Sequence, residues 1–167
     1  FLTDGSRGLD LWGLVWEAGL PHGIRAGTPN ASERIESELF SYRCDCAGQA
    51  TPLELGLERF MSLDRDDDFV GRAALRAERE CGVSRRLVKV KLSGDRLEAP
   101  SQHPWPAVGS DGLSIGEIRV AVWSPALNSN LALALVSAES AGREFTTVTP
   151  DGLEVVATHL CLFGENA

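Results

Sequence analysis

The sequence contains no run approaching the roughly twenty apolar residues that a membrane-spanning helix needs. Its opening residues, FLTDGSRG, lack the basic and apolar regions of a signal peptide. A cytoplasmic location is the default expectation. Basic residues are in short supply, 16 Lys and Arg against 24 Asp and Glu for a net charge of -8. They are scattered rather than clustered, which argues against a nucleic-acid surface. The four cysteines are Cys44, Cys46, Cys81 and Cys161. A CxC with no second pair and no neighbouring His is not a zinc pattern, so buried or partly buried free thiols in a reducing compartment are expected. His22, His103 and His159 stand apart, and GxSxG, GxGxxG and GxxxxGK[ST] are all missing. That leaves no support for a nucleophilic triad, a dinucleotide fold or a P-loop. Ser62 to Asp68, SLDRDDD, carries four carboxylates but neither the Gly nor the terminal Glu of a calcium loop. It is expected to cap and charge the start of the helix that follows.

What is present suits a globular chain: 167 residues, 43% hydrophobic and 24% charged, enough for one domain or two small ones. The stretch Gly27 to Asp45 reads as a loop that launches a short helix. Asn30 precedes Glu33 by three residues, the spacing of a capping box. Ala31, Ile35 and Leu39 form the apolar stripe, and Arg34 is placed to pair with Glu38 one turn on.

Ahead of it, Ser6 to Gly19 reads as a helix with Ser6 as N-cap and Gly19 and Pro21 at its end. Leu11, Trp12 and Val15 share one face, and Leu14 and Trp16 widen the belt. A helix this apolar must be packed on more than one side or lie at an interface, with the two tryptophans in a core. Thr51 to Phe60 suits a partly buried strand or turn. A helix is predicted from about Phe69 to Cys81, with Val70, Ala74, Ala77 and Cys81 on its stripe and Gly82 as its C-cap.

From Arg86 the text turns to β. LVKVKL alternates as a strand with one wet face, and Ser93 to Asp111 reads as a long loop. Ile118, Val120 and Val122 alternate with Glu117, Arg119 and Ala121. Leu131, Leu133 and Leu135 alternate with Ala132, Ala134 and Val136, so that strand is apolar on both faces and central in a closed or doubly covered sheet. Phe145 to Thr149 and Leu153 to Leu162, joined by Pro150, Asp151 and Gly152, make a hairpin. A small antiparallel barrel or sandwich follows from about Val83.

The spelling PNxxERIESxLxSY with Asp45, then TPLELGLERF, DDDFVGRAALRAERE and SPALNSNLALALV, resembles the second half of the glycine-cleavage T-protein family. Within that family it is similar to the folate-dependent dimethylsulfoniopropionate demethylase branch. The resemblance implies an α+β chain. Residues 1–82 would be the C-terminal part of an αβ folate-binding lobe, and residues 83–167 a small antiparallel β-barrel. It also implies that the chain is a C-terminal portion whose N-terminal half lies upstream of Phe1 or in another chain, with a homodimer left open.

The cofactor implied is tetrahydrofolate, and the reaction is transfer of a methyl group from a small donor such as a sulfonium to its N5. Arg34, Glu36 and Tyr42 are the cavity candidates, against the plainer readings of Arg34 as a surface ion pair and Tyr42 as a core tyrosine. The T-protein proper has Arg where this chain has Asn30, which counts against an ordinary aminomethyltransferase. Tyr42-Arg43 replaces the usual Tyr-Gly, and Glu38 replaces a Gly. A glycine-cleavage-type aminomethyltransferase and a non-catalytic interaction module are the alternatives.

Overall fold

The computed structural model describes residues 5–27, 30–46, 50–65, 68–101 and 103–162. Three α-helices come first: α1 (Gly8–Gly19), α2 (Ala31–Glu36) and α3 (Arg72–Cys81). Six strands follow: β1 (Arg85–Leu92), β2 (Trp105–Val108), β3 (Ser114–Ser124), β4 (Ser129–Ser137), β5 (Phe145–Val148) and β6 (Glu154–Leu162). The strands close into an antiparallel barrel in the order β1-β4-β3-β2-β5-β6, sealed where β1 pairs with β6. This is the small antiparallel barrel expected from the sequence. Among the described residues no helix is long and apolar enough to cross a membrane.

A six-stranded barrel has a narrow interior, and the chain fills it with small side chains. Ala132, Ala134 and Val136 of β4 point inward with Val88, Val90, Ala107, Ile118, Phe145 and Ala157. The alternate residues Leu131, Leu133 and Leu135 point outward, yet they are as buried as the inner set. They join Leu87, Val120 and Val122 in a second core roofed by Ile35, Cys46 and Leu55 from the first half of the chain. A fully buried leucine contributes about 1.5–3 kcal/mol, so the roof matters to the barrel's stability. At Gly116 the barrel tolerates only glycine, because a Cβ there would lie 2.1 Å from the Leu135 carbonyl oxygen.

Several expectations are corrected. The long loop of residues 93–111 contains β2, whose Pro106 removes one ladder donor and obscures the strand in the sequence. Ile118, Val120 and Val122 do not share a face. The register shifts between Ile118 and Val120, so Ile118 points into the barrel and Val120 and Val122 point out towards the roof. Helix α1 starts at Gly8 with Arg7 in the cap position and no side-chain cap, so Ser6 does not fill that role. Its apolar face is not a core: α1 buries none of its residues, and Trp12 is 59% exposed. Trp12 and Trp16 instead stack on each other, with ring centroids 6.0 Å apart.

Helix α3 begins at Arg72 behind Gly71, and among the described residues no side chain of the acidic run caps it. Asp64 pairs with Arg79 at 2.7 Å, while Asp66 and Asp67 lie outside the described residues, as do Thr28 and Pro29 of the α2 loop and Phe1. The expected α3 stripe of Val70, Ala74, Ala77 and Cys81 is exposed. Apart from Leu75, its half-buried face is polar, with Arg76 Nε donating to the Leu63 carbonyl at 2.8 Å and Glu78 accepting from the Thr51 hydroxyl at 2.7 Å. Residues 51–60 form turns and a 3₁₀ segment, burying Leu53 and Leu55 but not Phe60. Cys46 and Cys161 are buried free thiols, whereas Cys44 and Cys81 are exposed ones.

Candidate functional site

The candidate residues sit on α2 and the turn that follows it. The Asn30 side chain accepts from the Glu33 N–H at 2.8 Å and starts the helix. Fully buried Ile35 anchors it on the outer face of the barrel. Two polar bonds fix it against the end of β3: Ser32 Oγ donates to the Trp123 carbonyl at 2.8 Å, and Ser124 Oγ donates to Glu36 Oε1 at 2.6 Å. The helix ends at Glu36, so Leu39 leaves the expected stripe and is exposed.

Arg34 does not pair with Glu38. Its guanidinium donates to both carboxylate oxygens of Asp45, at 3.0 and 2.7 Å, and to the Leu39 carbonyl at 3.2 Å. Asp45 is fully buried and also accepts from the Ser41 N–H at 2.6 Å. Burial pushes the Asp45 carboxyl above its ordinary value, and the bonds from Ser41 and Arg34 pull it back only in part. The carboxylate closes Tyr42–Cys46 into a single π turn, in which the Cys46 thiol donates to the Tyr42 carbonyl at 3.0 Å. The turn displays the Tyr42 side chain at the surface, 62% exposed, rather than in a core.

Two further carboxylates tie this layer to the barrel. Glu38 accepts from Lys89 Nζ at 2.9 Å and from the Cys161 thiol at 3.5 Å, joining the α2 loop to β1 and β6. Glu54 accepts from the Thr51 N–H, the Ser84 hydroxyl and two Arg85 nitrogens at 2.8–3.1 Å. Burial would raise the Glu54 carboxyl, but Arg85, Thr51 and Ser84 together hold it below its ordinary value.

Of the three residues singled out, the structure thus links Arg34 and Tyr42 through the Asp45 turn and sets Glu36 apart against β3. None of them lines the 150 Å³ slot beside α1, which is formed by Trp12, Val15, Trp16, Ile24 and the backbone up to Gly27. A flat pterin needs an exposed ring or apolar wall, which Tyr42 offers; an anionic tail needs a cation with donors to spare, and Arg34 is largely committed to Asp45. Among the described candidates, Tyr42 thus offers an exposed ring while Arg34 has its Nη1 donors engaged. Asp45, Glu38 and Glu54 were not singled out as functional in the sequence, because their partners lie 11, 51 and 31 residues away.

Residues 85–161 match the model of the glycine cleavage T-protein C-terminal barrel domain, the span of the six strands. A dimethylsulfoniopropionate demethylase of Ruegeria pomeroyi is 34% identical over 157 residues, 92% of this chain. The chain belongs to the glycine cleavage T-protein family. Family members named aminomethyltransferase are also similar, among them that of Parasynechococcus marenigrum, 34% identical over 81% of the chain. The crystal structure of the glycine cleavage system aminomethyltransferase T from Bartonella henselae superimposes on 80% of the chain with a TM-score of 0.68 at 20% identity, which places the fold. The chain spans 42% of the demethylase, 35% of the Parasynechococcus aminomethyltransferase and 37% of the Bartonella chain.

Proposed function

We propose that the protein containing this chain transfers a one-carbon unit between a small donor and tetrahydrofolate. The specific reading is a demethylase that moves a methyl group from a sulfonium. One observation carries it: identity to the Ruegeria demethylase covers 92% of the chain, so it extends well beyond the barrel into the α-helical layer. Asn30 caps α2 through the Glu33 N–H, in keeping with the PN spelling that resembles the demethylase branch.

Tetrahydrofolate, when bound, would supply the accepting nitrogen. This chain's residues would bind and align. Tyr42 would lend its exposed ring to the cavity wall, Arg34 would hold the Tyr42 turn through Asp45, and Glu36 would lock α2 to β3. A sulfonium's thioether departs uncharged, so such a transfer gains most from alignment and exclusion of water and needs little from a general acid.

In this reading residues 1–82 belong to a folate-binding lobe completed elsewhere, and residues 83–167 are its barrel. The exposed apolar face of α1 supports a covering surface outside the described residues. The four free thiols support a cytoplasmic setting. Titration calorimetry with tetrahydrofolate tests the proposal. Saturable binding is expected for the full-length protein and little or none for these 167 residues alone; heat from neither would overturn it. Assays with sulfonium, amine and aryl ether donors then separate demethylase from aminomethyltransferase.

A further inference from the structure

Arg119 carries a charge into the outer layer of the barrel. It is the unpaired residue of the β3 bulge, since Ile118 pairs with Ala134 and Val120 with Leu133. Its side chain is 9% exposed. Among the described residues its guanidinium bonds to Glu117 alone, through Nη1, and its buried Nε has no partner. Glu117 is itself 44% exposed, a weak counter-ion for a charge taken so far out of water.

A second anion faces Arg119 from the helical layer. The Tyr42–Cys46 turn packs on β3 and β4. Cys46 and Val120, the sequence neighbours of Asp45 and Arg119, belong to one core. Burial raises the Asp45 carboxyl, and the charge of Arg119 opposes that rise together with Ser41 and Arg34. On its other side Glu117 faces Arg85, which is paired with Glu54 at 2.8 Å. Charges therefore alternate in a row: Glu54, Arg85, Glu117, Arg119, Asp45 and Arg34. Asp45 stands between two guanidiniums, one near the surface on α2 and one enclosed on β3.

We propose that Arg119 is a positioning residue for the candidate site. It shares Asp45 with Arg34, so that the turn keeps Tyr42 displayed when Arg34 is drawn towards an anionic group of a ligand. With Arg34 alone, one cation would have to hold the turn and meet the ligand. The second guanidinium separates the two tasks. The role towards a ligand rests on the folate reading; the role towards the turn does not.

The test uses the full-length protein and four variants: Arg119→Met, Arg119→Lys, Arg34→Ala, and Arg34→Ala combined with Arg119→Met. Amide exchange in residues 41–46 and the pH titration of the Asp45 carboxyl carbon by NMR are the readouts. Arg119→Met should speed exchange in the turn about tenfold, as loss of one charge interaction in a partly buried site implies, and move the Asp45 titration to higher pH. Arg119→Lys, which keeps the charge, should restore the titration. In the double variant exchange should exceed the product of the two single effects, because each single variant leaves Asp45 one cation. Glu117→Gln keeps the test usable if Arg119→Met fails to fold: it frees Arg119 for Asp45 and should move the titration to lower pH.

An Asp45 titration unmoved by Arg119→Met, single effects that simply multiply in the double variant, or an upward shift in Glu117→Gln would overturn the proposal. Tetrahydrofolate affinity should fall in Arg119→Met and recover in Arg119→Lys, and a loosened turn with unchanged affinity would overturn the role towards the ligand. Absence of tetrahydrofolate binding by the parent protein counts against the folate reading alone, and the Asp45 titration still decides the role towards the turn.

Discussion

Lys89 Nζ lies 2.9 Å from Glu38 Oε1, and Glu38 makes this bond from a left-handed backbone conformation with φ of 55°. A glycine would adopt that backbone freely, whereas a residue with a Cβ is strained by about 1 kcal/mol. The carboxylate at this glycine-like position is the partner of a half-buried lysine. Replacing it separates the two effects. Glu38→Ala keeps the strain and strands Lys89, for a loss of about 2–3 kcal/mol; Glu38→Gly strands Lys89 but relieves the strain, for a loss about 1 kcal/mol smaller. Urea unfolding midpoints of the two variants measure the difference, and equal losses would show that the backbone at residue 38 is not strained.

Arg34 and Asp45 form the other internal pair, and here the partner left behind is fully buried. Arg34→Ala leaves a buried carboxylate without its cation, a loss of about 3–5 kcal/mol. Arg34→Lys keeps the charge but cannot reproduce contact with both carboxylate oxygens. If this pair holds the Tyr42 turn, amide exchange in residues 41–46 accelerates in Arg34→Lys while exchange in β4 is unchanged. In the full-length protein, folate affinity falls with it. Faster exchange throughout the barrel would mean that Arg34 acts on global stability and not on the turn.

Glu54 and Asp45 respond to acid with opposite signs. The Glu54 carboxyl is held below its ordinary 4.5, so it stabilises the folded state above that pH, and the contribution disappears as the pH falls through the lower folded value. Asp45 is raised above its ordinary 3.8, so the folded chain takes up that proton first and gains stability as the pH falls from the raised folded value towards 3.8. Denaturant midpoints followed from about pH 6 to pH 3 should therefore show a shallower acid decline in Glu54→Gln than in the parent, and a steeper one in Asp45→Asn. Parallel curves for parent and Glu54→Gln would contradict the assignment of Glu54 as the acid-sensitive link.

These pairs also mark what the sequence could and could not convey. β4 was legible because Leu131 to Val136 is apolar at every position, a pattern that suits a strand covered on both faces. The β5–β6 hairpin and the Asn30 cap were legible because their signals are local. The face of β3 was not, since a single bulge after Ile118 exchanges inside for outside without changing the alternation of residue types. Arg34 had an obvious partner one turn away and a better one across a π turn, and only folding decides between them. The site residues follow the same division: α2 could be placed from its text, while the orientation of Tyr42 depends on a buried Asp45 whose role lies in tertiary contacts.

Helix α1 poses the remaining question, because its apolar residues Leu9, Trp12 and Leu14 are exposed. If a surface outside the described residues covers them, their energetic weight depends on how much of the protein is present. Trp12→Ala in these 167 residues alone should change stability by no more than about 0.5 kcal/mol, as for a surface substitution. In the full-length protein the same change should cost about 3–5 kcal/mol, as for an enclosed tryptophan. Paired unfolding experiments on the two lengths make the comparison. A small effect in both would mean that α1 stays uncovered in the whole protein, and the proposal of a lobe completed across this helix would fall with it.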